Sequence, residues 1–205
     1  MLRGVKIKDI KIDGMLAATF LTTIFYSATY PYIHMTVMKA ASSSVIAVSQ
    51  IINCLSAIAF GRLWNQNSDA FFRFYPVYCV METLCGVCST TYAIATGNVV
   101  AYYIMDVIFF ALITRNIICG GARLRAVRYA TEEAREHFDN NNNSASAIAT
   151  IIGSLIAVRL NLDFPAMLCA ATFGNAIDNA FYICIYFSSR KKRNRNAPRG
   201  NLTLT

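Results

Sequence analysis

Four ionisable side chains inside long apolar runs are the first candidates for chemistry: Glu82, Asp106, Arg115 and Asp178. A charge at the centre of a bilayer costs about 2.5–3.5 kcal/mol even on the milder insertion scale, so such residues pair with one another or face water. Glu82 follows Arg73 by nine residues and Arg115 precedes Arg123 by eight, which puts both at a depth of about 12–13.5 Å in a helix. This shared depth predicts a Glu82–Arg115 ion pair or a shared polar pocket. A pair that only fixes the register of two helices is the alternative.

The two acids near the middle of their runs are candidates for ion coupling. Glu82 or Asp178 would carry a coupling proton, although Asp178 fits a hydrogen-bonded structural acid equally well. Arg115 is predicted either to bind an anionic group of a substrate or to hold Glu82. Asp106 lies seventeen residues before Arg123, so we expect it near the outer end of its helix, where it reaches water.

Polar residues recur at helical spacing in three of the apolar runs and so form stripes on one helix face. The stripes are Thr19, Thr22, Thr23, Tyr26 and Tyr30; Ser49, Gln50, Asn53 and Ser56; and Asn143, Ser146, Thr150 and Ser154. Hydrogen bonding between helices explains the Ser and Thr residues. For Gln50 and Asn53, whose amides need several partners, a hydrated cavity is as good an explanation. We predict that Tyr26, Gln50 and Asn53 supply neutral contacts to a bound solute.

Composition requires a non-aqueous environment for these runs, because 56% of the 205 residues are hydrophobic and only 15% are charged, against about 45–50% and 25% in soluble domains. Six runs have about the 20 residues that cross a bilayer. They are Met15–Met38, Ser44–Leu63, Phe74–Thr96, Val99–Ala122, Asn143–Leu160 and Phe164–Ser188. The sequence thus predicts an all-α integral membrane protein with an N-terminal segment 1–14, a six-helix bundle 15–188 and a basic tail 189–205.

The basic residues predict the orientation of the bundle. Of the 19 Lys and Arg residues, all but Lys39, Arg115 and Arg159 fall on one side of the six runs, so the positive-inside rule makes both termini cytoplasmic. We expect a multi-pass protein of the cell (inner or plasma) membrane. The same placement accounts for the net charge of +8 through membrane lipid and argues against nucleic-acid binding.

Neither a nucleotide-binding loop nor metal-ligand spacing occurs in the sequence, so no cofactor and no metal is implied. All seven cysteines lie in the apolar runs, which argues against a secreted disulfide framework. Cys85 and Cys88 have the spacing of a thiol oxidoreductase motif. Cys85 follows Arg73 by twelve residues, a depth of about 18 Å, which favours packing over redox chemistry.

Several segments, in order along the chain, resemble one half of a major facilitator superfamily transporter. The first run ends in Tyr30-Pro31-Tyr32 and the second in Gly61-Arg62-Leu63. Asp69 and Arg73 keep the four-residue spacing of the family's cytoplasmic gate motif, although Asn65, Ala70 and Phe72 replace other motif positions. Arg115 with Gly120 and Gly121, the acidic stretch 131–138, and the small residues Ala149, Gly153, Ser154 and Ala157 are similar to later family patterns.

The resemblance implies secondary transport of a small polar or charged solute, such as a symporter performs, and no enzyme activity. Transporters of this superfamily have two six-helix halves, each built from 3+3 inverted repeats, with the solute between them. One half implies a homodimer or a second six-helix half as partner, and it implies a gate role for Asp69 and Arg73. The alternatives are a non-transporting scaffold or accessory subunit and, with less support, a membrane thiol oxidoreductase.

Overall fold

A computed structural model describes residues 13–160 and 162–196, and it is helical in almost all of that range. The helices are α1 (Gly14–Ala40), α2 (Ser43–Arg73), α3 (Tyr75–Thr96), α4 (Val99–Phe109), α5 (Arg115–Arg128), α6 (Glu132–Leu160) and α7 (Phe164–Asn196). A π-helical segment, Phe110–Thr114, joins α4 to α5. We call the continuous helix Val99–Arg128 the fourth span.

Six long helices lie where the sequence predicts six spans, but three of them extend well beyond the apolar runs. The second helix continues past Leu63 to Arg73, with a kink at Asn67, and α6 begins at Glu132 rather than at 143. The last helix continues past Ser188 to Asn196. The apolar run marks only the part that lipid can cover, whereas polar residues without Gly or Pro continue a helix into water. Most of the predicted segment 1–14 and the end of the tail lie outside the described residues.

Five of the helices are long and apolar enough to cross a membrane. The first helix, α1, is not among these five, although its 27 residues span about 40 Å. Its polar stripe lowers its apolar content, so its place in the bilayer depends on the neighbouring helices that cover it.

The most extensive helix contacts join α1 to α6 and to α7, α3 to α7, and the fourth span to α2 and to α3. The same set of contacts results when each of the first three spans is exchanged with its counterpart in the last three: α1 with the fourth span, α2 with α6, and α3 with α7. The pair α1 and α6 becomes the fourth span and α2, and the pair α1 and α7 becomes the fourth span and α3. This packing is that of two interlocked three-helix units.

Glycines allow α1 to approach its two neighbours closely. A Cβ atom at Gly153 of α6 would lie 2.5 Å from the backbone oxygen of Ile24, and one at Gly174 of α7 would lie 2.5 Å from Cβ of Phe25. Both distances are shorter than any real carbon contact, so no larger residue fits without moving α1. Ala149, one turn before Gly153, is fully buried, and this part of the predicted small-residue stripe is therefore a helix contact.

Two apolar clusters mark the two ends of the bundle. Tyr75, Cys79, Leu124 and Tyr186 belong to one, which lies at the end that carries Arg73 and Arg128, called here the basic end. Ile33, Val37, Ala93 and Leu168 form the other, near the turns that join α1 to α2 and α3 to α4, called the far end. Polar side chains occupy the space between the clusters.

Candidate functional site

Glu82 of α3 is held by hydrogen bonds from two neighbouring helices. Thr114 donates its hydroxyl to Oε1 at 2.5 Å, and Nδ2 of Asn179 donates to Oε2 at 2.8 Å. The same amide donates its other hydrogen to the hydroxyl of Thr83 at 3.1 Å. Both carboxylate oxygens accept a hydrogen bond, so the position and orientation of Glu82 are fixed by neutral donors.

The predicted Glu82–Arg115 ion pair is wrong. Arg115 lies instead towards α2, where Nη2 donates to the backbone oxygen of Asn53 at 3.3 Å and the guanidinium stands 5.0 Å from the centre of the Phe110 ring. Among the described residues, ion pairs within 4 Å join Arg123 to Asp69, Arg125 to Asp139 and Arg128 to Asp13. The Glu82 carboxylate takes part in none of these three ion pairs.

Distance along the chain fixes the height of a residue in a helix but not its direction around the helix axis, so equal depth does not bring Glu82 and Arg115 into contact. Thr114 and Arg115 are consecutive, and consecutive residues point about 100° apart because a helix turns once in 3.6 residues. Thr114, the last residue of the π-helical segment, therefore takes the direction that faces Glu82. Arg115 lies at the predicted depth but faces a different neighbour.

A cavity of about 330 Å³, called here the far cavity, lies between α1, α3, the fourth span and α7. Two carboxylates line it, Glu82 and Asp106, and its walls include the rings of Tyr26, Tyr30 and Tyr102. Its lining residues include no Lys, Arg or His. Thr90 and Thr172 share a hydrogen bond of 2.7 Å in the same wall, so the far cavity combines a mainly aromatic and apolar wall with acidic and hydroxyl groups.

A second cavity of about 350 Å³, called here the basic-end cavity, adjoins the first and shares with it Tyr26, Glu82, Thr114 and Asn175. It adds the third acid, Asp178, which accepts a hydrogen bond from Thr22 at 2.8 Å. Arg125 is the one Lys, Arg or His side chain in its lining. The two cavities together form a polar path along the bundle with acids at several depths.

The path is not sealed by the bundle itself. Tyr26 lies twelve residues after Gly14, about 18 Å along α1 and thus near the middle of a bilayer. Tyr26 is 40% exposed, and Tyr30, one turn further, is 52% exposed. Lipid tails offer no hydrogen bonds to such a surface.

The structure brings together only some of the residues predicted to bind a solute. Tyr26 lines both cavities, but Gln50, Asn53 and Arg115 line neither. Gln50 is exposed on α2, while Asn53 and Arg115 contact each other between α2 and the fourth span. The two predicted coupling acids, Glu82 and Asp178, do line the same cavity.

The predicted gate residues lie at the basic end. Asp69 accepts a hydrogen bond from Nη2 of Arg123 at 3.1 Å, and its side chain is 79% exposed. Asp69 and Arg73 line the same surface depression, together with Arg190. The contact therefore joins α2 to α5, with an arginine that the sequence comparison did not single out.

Sequence reasoning missed several residues of the path. Asp106 was expected to reach water near the outer end of its helix, but it lines the far cavity. In α7 the missed residues follow a helical stripe, at i, i+3, i+4 and i+7, that could have been found from the sequence. They are Asn175 and Tyr182, which line the cavities, and Asn179, which donates to Glu82; the predicted acid Asp178 completes the stripe.

The seven cysteines are free thiols. Cys79 is fully buried beside Tyr75, Cys85 is half-buried, and Cys88 is exposed on the surface of α3. Among the described residues, no group of three or more His, Cys, Asp or Glu side chains could hold a metal ion.

Helices of this length and composition around a polar interior define a multi-pass, all-helical membrane protein. No protein family, curated protein or solved structure matches the chain. Any narrower assignment therefore depends on the geometry of the cavities.

Proposed function

We propose that this protein is one half of a secondary transporter for a small polar or charged solute, and that a second six-helix bundle completes it. The observation that carries the proposal is the polar path of the two cavities, because Glu82 and Asp106 line it without a basic partner. Ionisable groups inside a membrane are costly and mark pathways for ions or solutes.

The helix contacts support the same proposal. The main contacts map onto themselves when the first three spans are exchanged with the last three. Internal repeats of three helices are common in secondary transporters, which hold their solute near the middle of the bilayer at an interface between repeats. A cavity at the depth of Tyr26 has the appropriate position.

The exposed tyrosines are the reason for a second bundle. Tyr26 and Tyr30 leave the polar path open on the surface of the bundle at mid-depth. Lipid cannot satisfy the polar groups there, so a second copy of this chain or another six-helix bundle would cover them. Two bundles rocking about the shared site would provide alternating access.

The test measures solute-driven currents in liposomes that contain the purified protein, with a panel of amino acids, sugars, carboxylates and organic amines. Glu82→Gln should abolish the response, because it removes an anion that lines both cavities. Glu136→Gln is the matched control, since Glu136 is exposed on α6 and outside both cavities. Folded, dimeric protein that gives no current with any solute would favour the scaffold or accessory-subunit alternative.

Oligomeric mass in native-like membranes tests the need for a partner. We expect two bundles per particle, with a cysteine introduced at Tyr26 protected from a bulky lipid-soluble thiol reagent in a background without the other cysteines. A stable monomer with position 26 open to the reagent contradicts this part of the proposal.

A further inference from the structure

We propose that the far cavity binds an organic cation that carries an aromatic or alkyl body, with Asp106 as the main counter-charge. This inference rests on the proposed function, because it names the class of solute that the transporter would carry. It replaces the expectation that Arg115 binds an anionic substrate, since Arg115 faces α2 and contacts the backbone oxygen of Asn53.

The lining of the far cavity is negatively charged, which favours a cation over an anion. Glu82 and Asp106 line the far cavity, and its lining contains no Lys, Arg or His. Glu82 already has two neutral donors, Thr114 and Asn179. Among the described residues no side chain donates a hydrogen bond to Asp106 or forms an ion pair with it. An acid in that position lacks the partner that buried charges require.

Independently of charge, the aromatic side chains in the wall of the far cavity also favour a cation. Tyr26, Tyr30 and Tyr102 line the far cavity together with Phe109 and Phe110. A ring face attracts a cation within about 6 Å, and quaternary ammonium groups are recognised by several rings around one position. The volume of about 330 Å³ falls within the range of about 300–1,000 Å³ usual for small-molecule sites.

Depth separates the roles of the two acids. Asp106 lies seven residues after Val99, the first residue of the fourth span, and Glu82 lies seven residues after Tyr75 at the start of the antiparallel α3. Each acid is thus about 10.5 Å from its own end of the bundle. A solute entering from the far end meets Asp106 first and Glu82 deeper in the path.

Binding is measured by calorimetry on the full chain in lipid nanodiscs, with empty nanodiscs subtracted. The probe is benzyltrimethylammonium, and benzenesulfonate is an anion of similar size. We expect heat of binding with the cation only. Asp106→Asn should weaken it about tenfold or more, because it removes the unpaired charge, and Glu82→Gln should weaken it less. Glu136→Gln should leave it unchanged, since Glu136 lies outside both cavities.

The ring contribution is tested at Tyr26, which is partly exposed. Tyr26→Phe keeps a ring face and should bind the cation more tightly than Tyr26→Leu does. Tyr26→Leu should bind it about fivefold more weakly, the loss expected for a cation–π contact of about 1 kcal/mol. This pair decides the question even if Asp106→Asn does not fold.

Two results overturn the inference: a preference for benzenesulfonate, and cation binding that is unaffected by both acid substitutions. The result also separates this inference from the proposed function. Cation binding without solute-driven current leaves the site in place and contradicts transport, whereas current with other solutes and no cation binding contradicts the site alone.

Discussion

The fourth span contacts an acid of α3 on one face and carries a base, Arg115, on another face at the same depth. On the face towards α3, Thr114 donates to Glu82, whose other carboxylate oxygen accepts from Asn179 of α7. On the face towards α2, Arg115 is stabilised by the backbone oxygen of Asn53 and the ring of Phe110. Acid and base could have neutralised each other, but the structure keeps them on separate faces. The acids consequently remain available to a solute or a proton.

The largest effect on stability is expected where α3 packs most closely against the fourth span, at Gly120. A Cβ atom at Gly120 would lie 2.1 Å from Cδ2 of Tyr75, whose side chain is fully buried. Gly120→Ala should therefore destabilise the protein by about 3 kcal/mol, the upper part of the range for overpacking. The measurement is the thermal unfolding midpoint in detergent.

Gly121→Ala is the matched control, because its Cβ would lie 3.6 Å from the Tyr75 hydroxyl oxygen, an ordinary contact. This change should leave the midpoint the same or raise it, since alanine favours a helix over glycine by about 1 kcal/mol. Equal midpoints for the two alanine variants would show that Tyr75 does not hold the two helices at this distance.

The face towards α2 has its own buried hydrogen bond, from Nε1 of Trp64 to Oδ1 of Asn116 at 3.0 Å. Asn116→Leu leaves the indole N–H, on a residue 5% exposed, without an acceptor and should cost about 1–3 kcal/mol. Combining it with Trp64→Phe removes both partners, so the double variant should lose less than the sum of the single losses. Strictly additive losses in unfolding free energy would contradict this contact.

Because Thr114 faces Glu82 and Arg115 faces α2, the two residues should differ in their coupling energy with Glu82. A double-mutant cycle of Glu82→Gln with Thr114→Val should give a coupling energy of about 0.6–1.7 kcal/mol, the range for hydrogen bonds within membranes. The cycle of Glu82→Gln with Arg115→Met should give a value near zero, because Arg115 contacts α2. Coupling measured by denaturation in SDS that is larger for Arg115 than for Thr114 would restore the ion pair.

The sequence predicted what depends on one helix at a time. Six apolar runs, the depth of Glu82 and the polar stripe that contains Tyr26 all follow from composition and helical period, and the structure contains six long helices and places Tyr26 in both cavities. Which helix faces which depends on packing between distant segments. Hence the sequence paired Arg115 with Glu82, and it gave no reason to place Asp106 beside the tyrosine rings or to join Asp69 to Arg123.

The smallest effect is expected at the basic end, where the fourth span meets the start of α1. Asp13 accepts hydrogen bonds from the Tyr129 hydroxyl at 2.5 Å and from Nε of Arg128 at 3.2 Å. Burial alone would raise the pKa of Asp13, but bonds from Tyr129, the Met15 amide and Arg128 outweigh it and hold the pKa below its ordinary value of 3.8. Burial and the contact with Asp13 also raise the pKa of Tyr129.

Asp13→Asn keeps an equally good helix N-cap and removes only the charge, so we expect a loss of about 0.5–1 kcal/mol at pH 7. The pKa of Asp13 is lower in the folded protein, so the unfolded chain binds more protons in acid. The contribution of Asp13 to the free energy of unfolding is therefore present above pH 3.8 and is lost as the pH falls through the pKa of the folded protein. Unfolding midpoints of the two proteins should therefore differ at pH 7 and 5 and converge as the pH falls below 3.8. Asp69→Asn is the control at a more exposed ion pair, where we expect almost no loss of stability. A difference in unfolding midpoint between Asp13→Asn and the unchanged protein that grows towards acid pH would contradict the charge-assisted contact.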